Sequence, residues 1–170
     1  MYYHNITTDD MLNGDGLRVV LWCSGCKLNC KNCQNPQTWD FNSGIPFTRN
    51  AMLEILADLS KPYISGLTFS GGHPLEQESF DTVFSIARCV KINLPKKNIW
   101  LYTGYTWERI IRDKKLRTIL PYIDVLVDGA YVDELRDAAL PWRGSSNQRV
   151  INVKATLNNN TPIPPILYCN

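Results

Sequence analysis

Short apolar runs alternate along this chain with segments in which apolar residues recur at helical spacing. Helical periodicity follows Thr48 and Thr106, two residues that can cap a helix, and it also spans residues 80–90. The alternation implies right-handed parallel crossovers, in an open sheet or in part of a barrel. It therefore predicts an α/β fold of about five strands with flanking helices. The predicted strands cover residues 17–22, 64–69, 99–102, 123–127 and 150–153.

The loops with the most distinctive residues all follow predicted strands. In parallel α/β folds, the chemistry gathers at the carboxyl ends of the strands. We therefore expect four loops to frame one site at that edge of the sheet. These loops are the cysteine-rich segment 23–33, Ser70-Gly71-Gly72-His73-Pro74, Thr103-Gly104-Tyr105 and Asp128-Gly129-Ala130.

Charge and composition exclude several classes of protein. The 170 residues include 18 basic and 16 acidic side chains. Because these charges nearly balance, the chain lacks the basic excess that is typical of a nucleic-acid-binding protein. No apolar run is long enough for a transmembrane helix, and the polar start lacks the regions of a signal peptide. We expect a cytoplasmic protein with no nucleic acid or membrane partner. The length suits one domain over residues 1–153, and the Asn- and Pro-rich residues 154–170 indicate an extended C-terminal tail.

Four of the six cysteines lie within eleven residues, and the other two stand alone. In a reducing compartment, such clustering indicates a metal or redox site rather than disulfides. Cys26, Cys30 and Cys33 have the spacing C-x3-C-x2-C, and soft thiolates suit an iron–sulfur cluster. Three protein ligands leave the fourth iron of a cubane open, so a substrate can bind there directly. The clustered cysteines are Cys23, Cys26, Cys30 and Cys33, and the isolated ones are Cys89 and Cys169.

Cys23 allows a second interpretation of the same segment. With it the pattern becomes C-x2-C-x3-C-x2-C, a four-cysteine set. Such a set is typical of a structural zinc site or an all-cysteine iron–sulfur cluster, here in a non-enzymatic adaptor module. The central spacing is tight for a zinc ribbon, and a cysteine at a strand end also fits a small buried hydrophobic residue. From the spacing alone, both interpretations stay open.

Four further residues are candidates for ligand binding. Gly71 and Gly72 follow a strand directly and would let backbone groups approach a ligand closely, although paired glycines also make plain turns. His73 is a possible ligand or base, whereas a loop histidine beside proline is more often solvated. Asp128 at a strand end can bind an amine or hydroxyl, or form an Asx turn with Gly129.

Together, the three-cysteine spacing and the Gly-Gly pair after the second strand resemble the radical S-adenosylmethionine superfamily. Further blocks across residues 1–150 resemble the activating enzymes of anaerobic ribonucleoside-triphosphate reductases. Residues after about 154 lie outside this resemblance. The blocks are Asn13-Gly14, Arg18 to Cys26, Asn35, Thr38-Trp39, Ser70-Gly71-Gly72-x-Pro74-Leu75, Ile99-Trp100-x-Tyr102-Thr103-Gly104-Tyr105, Val127-Asp128-Gly129 and Trp142-Arg143-Gly144-Ser145-x-Asn147-Gln148.

The resemblance implies a fold, two cofactors and two partners. The fold would be a small incomplete parallel (β/α) barrel, with a [4Fe-4S] cluster held by Cys26, Cys30 and Cys33. S-adenosylmethionine would chelate the open iron and be split into methionine and a 5′-deoxyadenosyl radical. That radical would take a hydrogen from a glycine Cα of the partner, the reductase large subunit. A flavodoxin-like protein would supply the electron.

The resemblance also implies a set of cofactor-binding residues, and this chain departs from the family pattern near three of them. His73 stands where an acidic residue is usual, Gln34 where an aromatic residue is usual, and Ala130 where lysine is usual. Tyr105, Tyr131 or Trp142 are possible replacements for the missing aromatic surface. The implied cofactor-binding residues are Asn32, Gln34, Ser70, Gly71, Gly72, His73 and Asp128.

Overall fold

The central element of the molecule is one mixed sheet. The computed structural model describes residues 1–159 and 162–169, and within them seven strands form this sheet in the order β3-β1-β2-β4-β5-β6-β7. Five of the strands match the predicted ones to within about two residues. The strands are β1 (Tyr2–Asp10), β2 (Arg18–Cys23), β3 (Ile45–Pro46), β4 (Gly66–Gly71), β5 (Asn98–Tyr102), β6 (Val125–Asp128) and β7 (Arg149–Asn152).

Parallel pairing is confined to the middle of the sheet. Strands β2, β4, β5 and β6 are parallel neighbours, whereas β1, β3 and β7 pair antiparallel at the two sides. The sheet is open, with β3 and β7 at its ends, so the expected α/β fold is confirmed as a mixed sheet that is not closed into a barrel. β1 and β3 were not predicted, because β1 is largely polar and β3 has two residues.

In the described part of the chain, four α-helices accompany the sheet: α1 (Arg49–Ser60), α2 (Gln77–Asn93), α3 (Trp107–Arg112) and α4 (Val153–Asn158). The first three correspond to the predicted helices, and Thr106 caps α3 by accepting a hydrogen bond from the Arg109 amide. α4 replaces the start of the expected extended tail, because the Asn152 side chain accepts a hydrogen bond from the Ala155 amide. Among the described residues, none of the helices combines the length and apolar character of a membrane span.

Both faces of the central strands are buried. Val19, Leu21 and Leu67 belong to the main core with the helices, while Trp100 and Val127 form a smaller cluster on the opposite face. Burial on both faces explains why these strands read as continuous apolar runs. On this second face, Tyr102 packs against the smaller cluster and also lies in the wall of the cavity described below.

Arg18 is fully buried on this second face. Its Nε donates to Thr68 Oγ1 at 2.6 Å, and its Nη2 donates to the Leu67 carbonyl at 2.8 Å. The guanidinium also lies 5.4 Å from the centre of the Trp100 ring. Burial lowers the pKa of Arg18 to about 10, so the group stays charged at neutral pH. Hydrogen bonds and an aromatic face therefore stabilise a charge inside the sheet.

We predict that Thr68→Val destabilises the fold by about 1–3 kcal/mol. Thr68 Oγ1 accepts from Arg18 and donates to the Asn13 carbonyl at 2.8 Å, so the variant leaves the buried Arg18 Nε and the half-buried Asn13 carbonyl without this partner. Urea unfolding measures the difference. Thr118→Val is the matched control, since it removes one exposed hydroxyl that donates to the backbone carbonyl of Lys115. Equal unfolding free energies for the two variants would contradict the role of Thr68.

Candidate functional site

A cavity of about 830 Å³ lies at the carboxyl edge of the parallel strands. The loops after β2, β4, β5 and β6 all contribute to its wall, as the strand order predicts. Residues 11–13 and 136–144 complete the wall. Of the residues proposed from sequence, those that line the cavity are Cys26, Cys30, Cys33, Gln34, Ser70, Gly71 and Gly72.

The loop that carries the cysteines is fixed by backbone hydrogen bonds. The Gly25 amide donates to the Thr38 carbonyl at 2.8 Å, and the Cys26 amide donates to the Trp39 carbonyl at 3.0 Å. From the other side, the His73 amide donates to the Gly25 carbonyl at 2.8 Å. The loop after β4 and the segment after the cysteines therefore hold the cysteine loop in place.

Cys26, Cys30 and Cys33 are free, partly exposed thiols around one cavity. Burial and the neighbouring thiols raise the pKa of Cys26 and of Cys30, while backbone hydrogen bonds from Leu28 and Tyr131 act in the opposite direction. The Asn35 amide donates to Cys33 Sγ at 3.4 Å. In the part of the chain that the structure describes, no three histidine, cysteine, aspartate or glutamate side chains are placed to hold a single metal ion. Three thiols cannot fill the four protein ligand positions of a closed zinc site, whereas they suit an iron–sulfur cluster with one open iron.

Cys23 does not line the cavity. Its side chain is fully buried in the core between the sheet and the helices. Burial raises the pKa of the Cys23 thiol to about 12, which disfavours the thiolate that a metal requires. The neighbouring Trp22 points to the other face and lines the cavity, in agreement with strand alternation.

Gly71 and Gly72 are required by close packing of two backbones. Gly71 has φ +96°, and a Cβ on it would lie 2.7 Å from the Cys23 carbonyl oxygen. A Cβ on Gly72 would lie 2.7 Å from the Gly25 carbonyl oxygen. The pair thus brings the end of β4 against the cysteine loop while still facing the cavity. Any side chain here would push the two loops apart.

Asn32 and Asp128, also expected from the sequence to contact a cofactor, do not line the cavity. The exposed Asn32 side chain donates to Asp133 Oδ2 at 2.7 Å. Asp128 is buried, where it accepts from Arg149 Nε at 3.0 Å and from the Trp107 amide at 2.7 Å. Both side chains are occupied in joining elements of the protein to each other.

His73 is also outside the cavity wall, and the expectation of a solvated histidine is wrong. It is 1% exposed, with Nε2 at 2.7 Å from Thr103 Oγ1 and Nδ1 at 3.2 Å from Glu76 Oε1. Its ring meets Tyr105 edge to face at 4.2 Å. The same Glu76 oxygen accepts a hydrogen bond from the Lys27 amide at 3.2 Å. His73 therefore links the loops after β4 and β5 and, through Glu76, the cysteine loop.

Sequence reasoning missed two parts of the wall. Residues 11–12 and 136–141 carry no recognisable motif, whereas Asn13 belongs to the Asn13-Gly14 block of the resemblance. Tyr131 and Trp142 line the cavity, whereas Tyr105 packs on His73 instead. The block from Trp142 to Gln148, noted in the sequence, was the available signal for this side.

We predict that His73 makes the apoprotein less stable below about pH 6.5. Burial, as the largest cause, lowers the pKa of His73, so the unfolded chain takes up this proton more readily than the folded one. The contribution is complete above pH 6.5 and is lost as the pH falls. Anaerobic urea unfolding from pH 7 to pH 5 measures it. The His73→Gln variant should lose less stability over this range, and parallel profiles would contradict the prediction.

Comparison with known proteins identifies a domain type. A family model described as a 4Fe-4S single cluster domain matches residues 12–151, which include all four loops of the cavity. The match covers most of the chain and agrees with the cysteine loop as the centre of the site.

Curated relatives identify the family. A protein from Vibrio cholerae is 43% identical over 150 residues, covering 87% of this chain and 96% of the relative. A protein from phage T4 is 43% identical, covering 88% and 93%. A protein from Escherichia coli K12 is 37% identical, covering 91% and 100%. All three are named anaerobic ribonucleoside-triphosphate reductase-activating protein. With this identity over nearly the whole length of its relatives, the chain belongs to the family of anaerobic ribonucleoside-triphosphate reductase-activating proteins.

Proposed function

We propose that this chain is a radical S-adenosylmethionine enzyme that installs a glycyl radical on an anaerobic ribonucleoside-triphosphate reductase. Cys26, Cys30 and Cys33 would hold a [4Fe-4S] cluster. S-adenosylmethionine would occupy the rest of the cavity. The hydrogen atom would come from a glycine Cα of the reductase large subunit and leave as part of 5′-deoxyadenosine. The names of the relatives support the reductase as the partner.

One observation carries the proposal: three free thiols and the Gly71-Gly72 backbone share one cavity at the carboxyl edge of the sheet. The volume of about 830 Å³ lies within the range of small-molecule sites, so there is room for a cosubstrate beside the cysteines. The cavity opens at the edge of the sheet, which lets a partner segment reach it. When bound and reduced, the cluster would supply the electron that splits the carbon–sulfur bond of the sulfonium.

The residues of the chain would bind and orient in this reaction. Ser70, Gly71, Gly72 and Gln34 line the cavity and are the proposed contacts to S-adenosylmethionine. Asn32, His73 and Asp128 would contribute indirectly, because their side chains hold the surrounding loops rather than face the ligand. No charged base is needed for electron transfer followed by hydrogen abstraction.

We further propose a flavodoxin-like electron donor and a cytoplasmic location. Every cysteine of the described residues is a free thiol, which fits a reducing compartment. The chemistry needs a one-electron donor that no residue of this chain supplies.

The position of Cys23 favours this proposal over the four-cysteine adaptor module. We predict that Cys30→Ala abolishes the brown colour after anaerobic reconstitution, whereas Cys23→Ala keeps about four irons per chain. The reason is that Cys23 lies in the core, away from the cavity. Cys89→Ala on α2 is the control for loss of an unrelated thiol. Iron analysis with visible absorption measures the result, and loss of iron in Cys23→Ala as severe as in Cys30→Ala would support the adaptor module instead.

Activation of a reductase tests the function directly. We predict that the reconstituted and reduced protein cleaves S-adenosylmethionine, and that a glycyl radical appears by electron paramagnetic resonance when the reductase large subunit is added. Another glycyl-radical enzyme serves as the specificity control and should stay silent. A colourless protein with one zinc per chain and no cleavage would contradict the function. Radical formation on the other enzyme alone would reassign the partner.

A further inference from the structure

The C-terminal segment of the described residues lies beside β7, the strand at one end of the sheet. Residues 162–169, the C-terminal strap, lie beyond the family match, which ends at residue 151. The Asn152 amide donates to the Ile166 carbonyl at 2.9 Å, and the Tyr168 amide donates to the Val150 carbonyl at 2.8 Å. The strap therefore pairs with the outer edge of β7, which would otherwise be an unpaired strand edge.

Tyr168 completes a cluster of three aromatic rings. Its ring centre lies 5.2 Å from that of Trp100 and 5.9 Å from that of Trp142, and the two tryptophans are 5.1 Å apart. All three pairs meet edge to face, the favourable arrangement for aromatic rings. The Tyr168 hydroxyl also donates to Asp15 Oδ2 at 3.2 Å. Each ring is thus held by the other two.

The two tryptophans differ in how firmly the rest of the protein holds them. Trp100 is 1% exposed in β5 and is packed by the Arg18 guanidinium. Trp142 lies in the loop 136–144, is only partly buried, and has φ +57°, a conformation that a bulky residue adopts only when its surroundings hold it there. Residues 136–139 of this loop are exposed. Backbone bonds such as that from the Asp137 amide to the Gly144 carbonyl at 3.3 Å join the loop to itself, and the packing of Trp142 on Trp100 connects it to β5.

We propose that Tyr168 is a positioning residue for the cofactor cavity. It does not line the cavity, but Trp142 does, together with the rest of the loop 136–144. By packing on Trp142 and anchoring it to Trp100, Tyr168 holds this wall in the conformation that receives the cosubstrate. The identity of that cosubstrate as S-adenosylmethionine rests on the proposed function, whereas the positioning of the wall does not.

Hydrogen–deuterium exchange of the apoprotein tests the positioning without any activity. In Tyr168→Ala, amides of residues 137–146 should exchange about tenfold faster, while those of β2 and β4 stay unchanged. Tyr168→Phe keeps the ring and should restore slow exchange. Cys169→Ala, at the exposed neighbouring position, is the matched control and should resemble the wild type. Unchanged exchange in Tyr168→Ala, or an equal increase throughout the chain, would overturn the proposal.

Kinetics of S-adenosylmethionine cleavage test the consequence for the cavity. With the wall loosened but the cluster intact, Tyr168→Ala should raise KM about tenfold and leave kcat nearly unchanged, and Tyr168→Phe should recover the wild-type KM. A lower kcat at unchanged KM would overturn the positioning role. If the wild type itself cleaves no S-adenosylmethionine while the exchange result holds, the proposed function fails and the role of Tyr168 in holding the wall stands.

Discussion

The site depends on direct backbone contact between the cysteine loop and the end of β4. Cys23 is the register partner of Gly71, and just beyond this pair the Gly72 amide donates to the Cys23 carbonyl at 2.8 Å. The His73 amide makes the equivalent contact to Gly25. These bonds place Cys26, the first thiol of the cavity, beside the Gly-Gly pair. Since a Cβ on either glycine would lie 2.7 Å from a carbonyl oxygen, the glycines serve the fold first and leave backbone groups facing the cavity as a consequence.

A polar layer behind the cavity holds the loops that form it. His73 and Glu76 connect the loops after β4 and β5 to the Lys27 amide of the cysteine loop. Asp128 and Arg149 join β6 to β7, and Arg149 also pairs with Glu108 of α3. Buried ionic and polar groups of this kind are sensitive to loss of one partner, because the remaining group is then buried without compensation. Residues proposed from sequence as ligands thus contribute to the rigidity of the site.

Much of the fold and part of the site follow from the sequence, for identifiable reasons. The five predicted strands are continuous apolar runs because both faces of the sheet are covered, whereas β1, between β3 and β2, has only Tyr3 buried and no such run. Strand order placed the four loops at one edge, so the three cysteines and Gly71-Gly72 were predicted together. Side-chain direction after a strand end does not follow from position, so the sequence could not show that His73 and Asp128 lie outside the cavity wall. The wall at 136–144 has no periodicity, and its position depends on long-range aromatic packing.

The central claim is that three cysteines hold a cluster with one iron open to S-adenosylmethionine. Mössbauer spectroscopy of the ⁵⁷Fe-reconstituted protein, with and without S-adenosylmethionine, tests it most directly. A single iron whose isomer shift moves on addition of S-adenosylmethionine, while the others stay unchanged, is the predicted result. A spectrum in which all irons are ligated alike and none responds to S-adenosylmethionine would contradict the claim.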